Sequence, residues 1–229
     1  KSKVQKISED LKINLRTPLE LRDNLEEYEF IKNLKSDLAI VVAYGQKIPK
    51  IFLDLPKKGF INIHASILPK YRGAAPIQRS IMNLEKKTGI SLMRMTEQLD
   101  SGPVCARYEM DIKAEYNFEK LSRDLSNLAS EKIIDNINNI FDNNIEFINQ
   151  DHSEATYAGK IEKNESLINW NISAENLLGK INGLYPNPGA CFYYNEERYK
   201  ILDAEVNNNS GKVGFVLKTP LIIGCKHKS

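Results

Sequence analysis

Ile61-Asn62-Ile63-His64-Ala65-Ser66-Ile67-Leu68-Pro69-Lys70-Tyr71-Arg72-Gly73-Ala74-Ala75-Pro76-Ile77-Gln78 is the stretch on which the reading of the fold turns. With Gly59-Phe60 in front of it, its start is a short apolar run of the length and composition of a buried strand. Side chains two apart on a strand share a face, so Asn62 and His64 emerge side by side at the strand's carboxyl end. Ligands of open α/β sheets bind beyond that end. The residues that follow are small or turn-forming, which lets backbone approach a ligand closely.

Outward from this strand, helical and strand-like segments alternate, the pattern of a sheet with helices on its faces. Residues 38–43, Leu-Ala-Ile-Val-Val-Ala, form a continuous apolar run that predicts a strand buried on both faces. Residues 4–11 and 25–34 have the apolar spacing of helices, and residues 75–83 predict a short helix with Pro76 in its first turn. Residues 88–95 and 104–112 predict neighbouring strands joined through the turn-rich Asp100-Ser101-Gly102-Pro103. A long amphipathic helix over 118–141, striped by Leu121, Leu125, Leu128 and Ile133, closes this part.

The texture changes at about residue 156. Ser173 caps a helix carrying Leu177, Leu178 and Ile181 and stopping at Gly183. Residues 190–194 with 198–206 predict a hairpin, and 212–217 with 221–223 supply further strands. The expected organisation is a catalytic domain over 1–149, a linker over 150–155 and a small, β-rich, incomplete barrel over 156–229. No Met stands at position 1, residue 1 falls inside a helical pattern, and the last residues follow a strand-like run abruptly. The chain is therefore expected to be a piece of a longer protein cut at both ends.

Composition excludes several classes. With 41% hydrophobic and 27% charged residues in 229, the chain reads as a globular protein able to bury a core without staples. Its three widely spaced cysteines imply neither a disulfide framework nor a zinc site, and a reducing, cytoplasmic setting is expected. No apolar run approaches the roughly 20 residues of a membrane span. A net charge of +2 does not announce a nucleic-acid partner.

An amide donor beside an imidazole can hold a developing oxyanion, as in acyl transfer. Asp100, from the turn after another strand, could meet the same edge, favour the protonated imidazole and accept a proton from an attacking amine. No Ser or Cys stands near enough in sequence to suggest a covalent intermediate, so direct transfer between two substrates is the economical mechanism. Taken singly, a His after a strand is more commonly structural, and an Asp before Ser-Gly-Pro more commonly a turn former. These residues reach an acid/base site at a sheet edge and no further.

Asn62-x-His64, Ser66-Ile67-Leu68-Pro69, Tyr71-Arg72-Gly73 and Leu99-Asp100-Ser101-Gly102, in that order, resemble the motifs of the 10-formyltetrahydrofolate-dependent formyltransferases. Residues 73–80 (Gly-Ala-Ala-Pro-Ile-Gln-Arg-Ser) and Val41-Val42-Ala43-Tyr44-Gly45 are similar to the branch acting on initiator methionyl-tRNA. Thr156-Tyr157-Ala158, Ile168-Asn169-Trp170 and Asn187-Pro188 are similar to that branch's carboxyl-terminal domain. The resemblance covers essentially the whole chain. It implies an α/β fold, with an incomplete Rossmann-like domain lacking its first strands and a tRNA-contacting loop, followed by a truncated, OB-like barrel. It implies 10-formyltetrahydrofolate as formyl donor, initiator methionyl-tRNA as acceptor, no metal, no membrane and no obligate protein partner. Asn62, His64 and Asp100 take the catalytic positions. Ser66, Ile67, Leu68 and Pro69, with Val42, Ala43 and Tyr44, take the folate-contacting ones. Arg72 becomes a candidate tRNA contact, against the alternative of a solvated loop cation, and Trp170 a packing residue. Two rivals stand beside this reading: an amino-sugar formyltransferase using the same folate, and a non-catalytic folate- or RNA-binding module.

Overall fold

The computed structural model describes residues 2–219 and 221–228, so the expected outer domain bounds, Lys1 and Ser229, lie outside the described residues. Helices α1 (Lys3–Asp10) and α2 (Leu25–Leu34) come first, capped by the Ser2 and Asn24 side chains, which accept from the Gln5 and Glu27 amides. A four-stranded sheet follows, in the order β1 (Ala39–Val42), β2 (Phe60–His64), β3 (Lys87–Arg94), β4 (Val104–Asp111). β1 and β2 are parallel and the remaining pairs antiparallel. The crossover from β1 to β2 carries the single-turn α3 (Lys50–Leu53), α4 (Pro76–Met82) stands between β2 and β3, and α5 (Phe118–Phe141) follows β4.

Alternation along β2 sends its side chains into two cores. Phe60 packs with Val41, Ile48, Phe52 and Leu53 on the face covered by α2 and α3. Ile61 and Ile63 pack with Ile81, Ile90, Leu92, Leu121, Leu125 and Ile140 on the face covered by α4 and α5. The long helix runs over the residues its periodicity predicts, with Leu121 and Leu125 at the centre of that core.

β1 departs from expectation. It was expected to be buried on both faces, yet Val41 is buried while Ile40 and Val42 are exposed, Val42 at 60%. Register aligns Ile40 with Ile61 and Val42 with Ile63, but the helices that cover the latter pair do not reach β1. An apolar run tells that a strand is buried by something; it does not tell on how many sides.

Beyond residue 150 the chain builds a second core. α6 (Ala174–Leu184) is capped by Ser173, whose hydroxyl accepts from the Asn176 amide. Hairpins β5–β6 (Cys191–Tyr194, Glu197–Lys200) and β7–β8 (Val216–Lys218, Ile222–Ile223) are tied in by bridges from Leu167 to Cys191 and from Ser173 to His227. Ile168, Leu177, Ile181, Leu184 and Cys225 form the core, and Trp170 packs edge-on against Phe192 at 5.9 Å. Two short hairpins on a helix make an open arrangement, and β6 is shorter than the expected 198–206.

Gly183 does not end α6, as its residue type suggested; the helix runs through it to Leu184. Its role is close approach. A Cβ there would lie 2.6 Å from Met82 Cγ and 2.9 Å from the Gln78 carbonyl oxygen, and one on Gly179 would lie 2.7 Å from Leu84 Cδ2. α6 thus lies against α4 at backbone distance, and α4 joins the two cores. Gly183→Val is expected to destabilise the fold by about 1–3 kcal/mol through overpacking, whereas Gly159→Val, with nothing within 4 Å of its Cβ, is expected to stay within about 0.5 kcal/mol. Urea unfolding of the two variants checks this; equal midpoints would contradict the close-approach account.

Candidate active site

β2 delivers Asn62 and His64 to its carboxyl end, and they meet different surroundings. Asn62 is half-buried, and its side-chain amide has no hydrogen-bond partner among the described residues. His64 is buried at 6% exposure, with Nε2 2.8 Å from the Tyr71 carbonyl oxygen. A carbonyl can only accept, so Nε2 carries a hydrogen and the other ring nitrogen, Nδ1, is the one that can gain or lose a proton. Nδ1 faces Asp100 Oδ2 at 3.7 Å. The same Oδ2 accepts a hydrogen bond from the Gly73 amide at 2.8 Å. Geometry therefore pairs an imidazole of fixed orientation with a carboxylate beside its Nδ1, and places an amide without a partner among the described residues two positions earlier on the same strand.

Such convergence needs unusual backbone. Asp100 and Tyr71 both lie in the left-handed region, at φ of 46° and 59°. Gly73 has φ of 120°, and a Cβ there would stand 2.7 Å from the Ala158 carbonyl oxygen, so only glycine can bring its amide to Asp100.

The loop after His64 is held from within. Ser66 Oγ donates to the Lys70 carbonyl at 2.6 Å, while Ser91 Oγ donates to the Ser66 carbonyl and accepts from the Leu68 amide. Arg107 Nε donates to the Leu68 carbonyl at 2.7 Å. Ser66 and Leu68, expected to contact folate, are thus buried residues whose polar groups hold the loop; Ile67 and Pro69 are half-buried beside them. Tyr71 donates its hydroxyl to Glu85 at 2.6 Å, and burial together with that bond pushes the phenol up to about 12. It remains a neutral anchor for the carbonyl that His64 uses.

Arg72, expected as a candidate tRNA contact or a solvated loop cation, is not the latter, being only 2% exposed. Its Nε and Nη2 donate to Gln150 Oε1 at 3.1 and 2.7 Å, and Nη1 lies 3.2 Å from His152 Nδ1. The segment expected to be a linker is accordingly built into the site. The Arg72 amide donates to the Thr156 carbonyl, the Ala158 amide donates to the Arg72 carbonyl, and the Tyr71 amide donates to Thr156 Oγ1. Further along, Arg79 on α4 makes a two-pronged pair with Glu165, which holds the Glu165 carboxyl below its ordinary range. Gln150 and Ser91 carry no signal in the sequence because each is a lone polar residue in a strand or loop, and Thr156 stood out only as part of the 156–158 motif, with no hint of its contact to the loop.

Val42, Ala43 and Tyr44 continue from β1, and Val42 is in register with Ile63, so these exposed residues border the edge where His64 ends β2. The thiol of Cys105 on β4 is pushed up to about 11 by burial and donates to the Leu92 carbonyl, which makes it a poor nucleophile. The arrangement can stabilise negative charge on an oxygen placed between Asn62 and Nδ1 of a protonated His64, with Asp100 to balance that proton.

Similarity to known proteins agrees with this chemistry. A family model described as formyl transferase matches residues 5–137, and one described as formyl transferase, C-terminal domain, matches 160–229. The methionyl-tRNA formyltransferase of Pelagibacter ubique is 60% identical over 225 residues, which cover 98% of this chain and 73% of that protein. That of Thermodesulfovibrio yellowstonii is 42% identical, over 90% of this chain and 68% of that protein. Among solved structures, HypX from Aquifex aeolicus in complex with tetrahydrofolic acid shares the fold at a TM-score of 0.71 and 21% identity, covering 87% of this chain and 35% of that one. A 4-N formyltransferase from Francisella tularensis does so at 0.72 and 19%, covering 86% and 81%. With both of its segments matched and relatives this similar along nearly its whole length, the chain belongs to the formyl transferase family.

Proposed function

We propose that this chain carries the site that moves a formyl group from N10 of 10-formyltetrahydrofolate to the α-amine of methionine esterified to initiator tRNA. The observation that carries the reading is the His64–Asp100 pair with Nδ1 turned to the carboxylate and the free Asn62 amide beside it on β2. The 60% and 42% identical relatives named for methionyl-tRNA support the choice of acceptor.

In this reading the neutral amine attacks the formyl carbon and a carbon–nitrogen bond forms. The carbonyl oxygen becomes an oxyanion, held by the Asn62 amide and by Nδ1–H of protonated His64. Asp100 stabilises the imidazolium and, directly or through a water, takes the proton lost by the amine. The bond from the carbon to N10 then breaks, N10 receives a proton, and the products are tetrahydrofolate and a formamide that is no longer basic. No side chain forms a covalent intermediate. Val42, Ala43, Tyr44, Ile67 and Pro69 border the folate, while Ser66 and Leu68 act on it through the shape of the loop.

His64→Ala is expected to lower transfer of labelled formyl to charged initiator tRNA by about 10²-fold or more, the scale of losing an oxyanion donor or general acid–base group. Unchanged transfer with folate binding retained would instead make this a binding module. Asp100→Asn, which keeps an oxygen for the Gly73 amide but removes the charge, is expected to retain the fold by circular dichroism and to lose a comparable factor in rate. A nucleotide-linked amino sugar offered in place of tRNA is expected to be a poor acceptor; efficient formylation of it would move the assignment to the sugar branch.

A further inference from the structure

The segment between the two matched regions contributes one side chain whose bonding is fully determined. Gln150 is 5% exposed, and all four of its hydrogen-bonding positions are used. Oε1 accepts from Arg72 Nε and Nη2, at 3.1 and 2.7 Å. Nε2 donates to the Asp100 carbonyl at 2.9 Å and to the Gly102 carbonyl at 2.7 Å. A guanidinium can only donate and a carbonyl can only accept, so the amide has one possible orientation. Glutamate could serve Arg72 but not the two carbonyls. An aliphatic residue would serve neither side.

The carbonyls belong to the turn that sets the Asp100 carboxylate. Asp100 is left-handed, and Gly102 is pressed so closely on β3 that a Cβ would stand 1.8 Å from the Arg94 carbonyl oxygen. On the other side, Arg72 lies between Tyr71, whose carbonyl orients His64, and Gly73, whose amide binds Asp100. One side chain thus joins the backbone of the turn that carries Asp100 to the Arg72 side chain of the loop that orients His64.

We propose that Gln150 is a positioning residue for formyl transfer, holding the Asp100 turn in register with the His64 loop through its two donated hydrogen bonds. The inference rests on the reading of His64 and Asp100 as the reacting pair. It makes the segment joining the two family regions part of the active-site framework, and it gives Arg72 the role of anchoring Gln150.

Gln150→Glu separates the two halves of the clamp. It retains an acceptor for Arg72, as an ion pair, and removes both donors to the turn. Because misplacement by about 1 Å can cost about 10²-fold in rate, kcat for formylation of charged initiator tRNA is expected to fall by about that factor. KM for folate and tRNA should stay within about threefold, with the fold retained by circular dichroism. Independently of turnover, crystal structures of the wild type, Gln150→Glu and Gln150→Leu are compared. The wild type is expected to keep His64 Nδ1 3.7 Å from Asp100 Oδ2 and the Gly73 amide bonded to Asp100, and both variants are expected to show the turn displaced with the two contacts lengthened. A kcat within about twofold of wild type, or an Asp100 turn unmoved in both variants, overturns the proposal. If the wild type transfers no formyl group, the proposed function fails, and the position of the Asp100 turn still decides the role of Gln150.

Discussion

The hydrogen bond from the Gly73 amide to Asp100 Oδ2 is the constraint on which the rest of the site depends. It joins a turn that follows β3 to a loop that follows β2. The carboxylate reaches the amide only because position 73 lacks a side chain and Asp100 adopts a left-handed backbone. Once it is made, the same oxygen stands beside His64 Nδ1, and the Tyr71 carbonyl, two residues earlier, holds Nε2. Orientation of the imidazole is therefore not a local property of β2. It is set by a loop that leaves the strand, returns across it and is fixed at its far end.

That far end is fixed by the second half of the chain. The segment that leads from α5 to α6 runs alongside residues 69–75 and exchanges backbone hydrogen bonds with them, while Arg79 and Glu165 close the junction. α4 contributes Ile81 to one core and Met82 to the other, and the glycines of α6 let the helices meet. Burying Arg72 with neutral partners is costly in isolation, and an amide and an imidazole nitrogen are what meet its donors here. The family's two regions thus share one framework around the His64–Asp100 pair, and the fold of the second unit bears on the geometry of that pair through the loop.

Much of this was legible from residue types. Asn62 and His64 two apart on an apolar strand, Pro76 opening a helix, Ser173 capping another and the leucine stripe of α5 each carry a local physical signal, and each stands where that signal puts it. What failed to show in the sequence was determined by neighbours. Ile40 and Val42 read as buried because apolar strands usually are, but the helices over β2 stop short of them. Arg72 read as a surface cation because arginine in a polar loop usually is one, and its burial depends on Gln150, about eighty positions away. Gly183 read as a helix stop, although its use is helix contact. In each case the residue type permits two structures, and a distant partner selects between them.

The central claim is that Asn62 and Nδ1 of His64 together hold the oxygen of the formyl group. A crystal structure with a stable formyl-tetrahydrofolate bound tests it most directly. The account predicts the formyl oxygen within hydrogen-bonding distance, about 3 Å, of both Asn62 Nδ2 and His64 Nδ1, with Asp100 still bound to the Gly73 amide. A formyl oxygen beyond about 3.5 Å from both groups, or a folate seated away from the carboxyl end of β2, would contradict it.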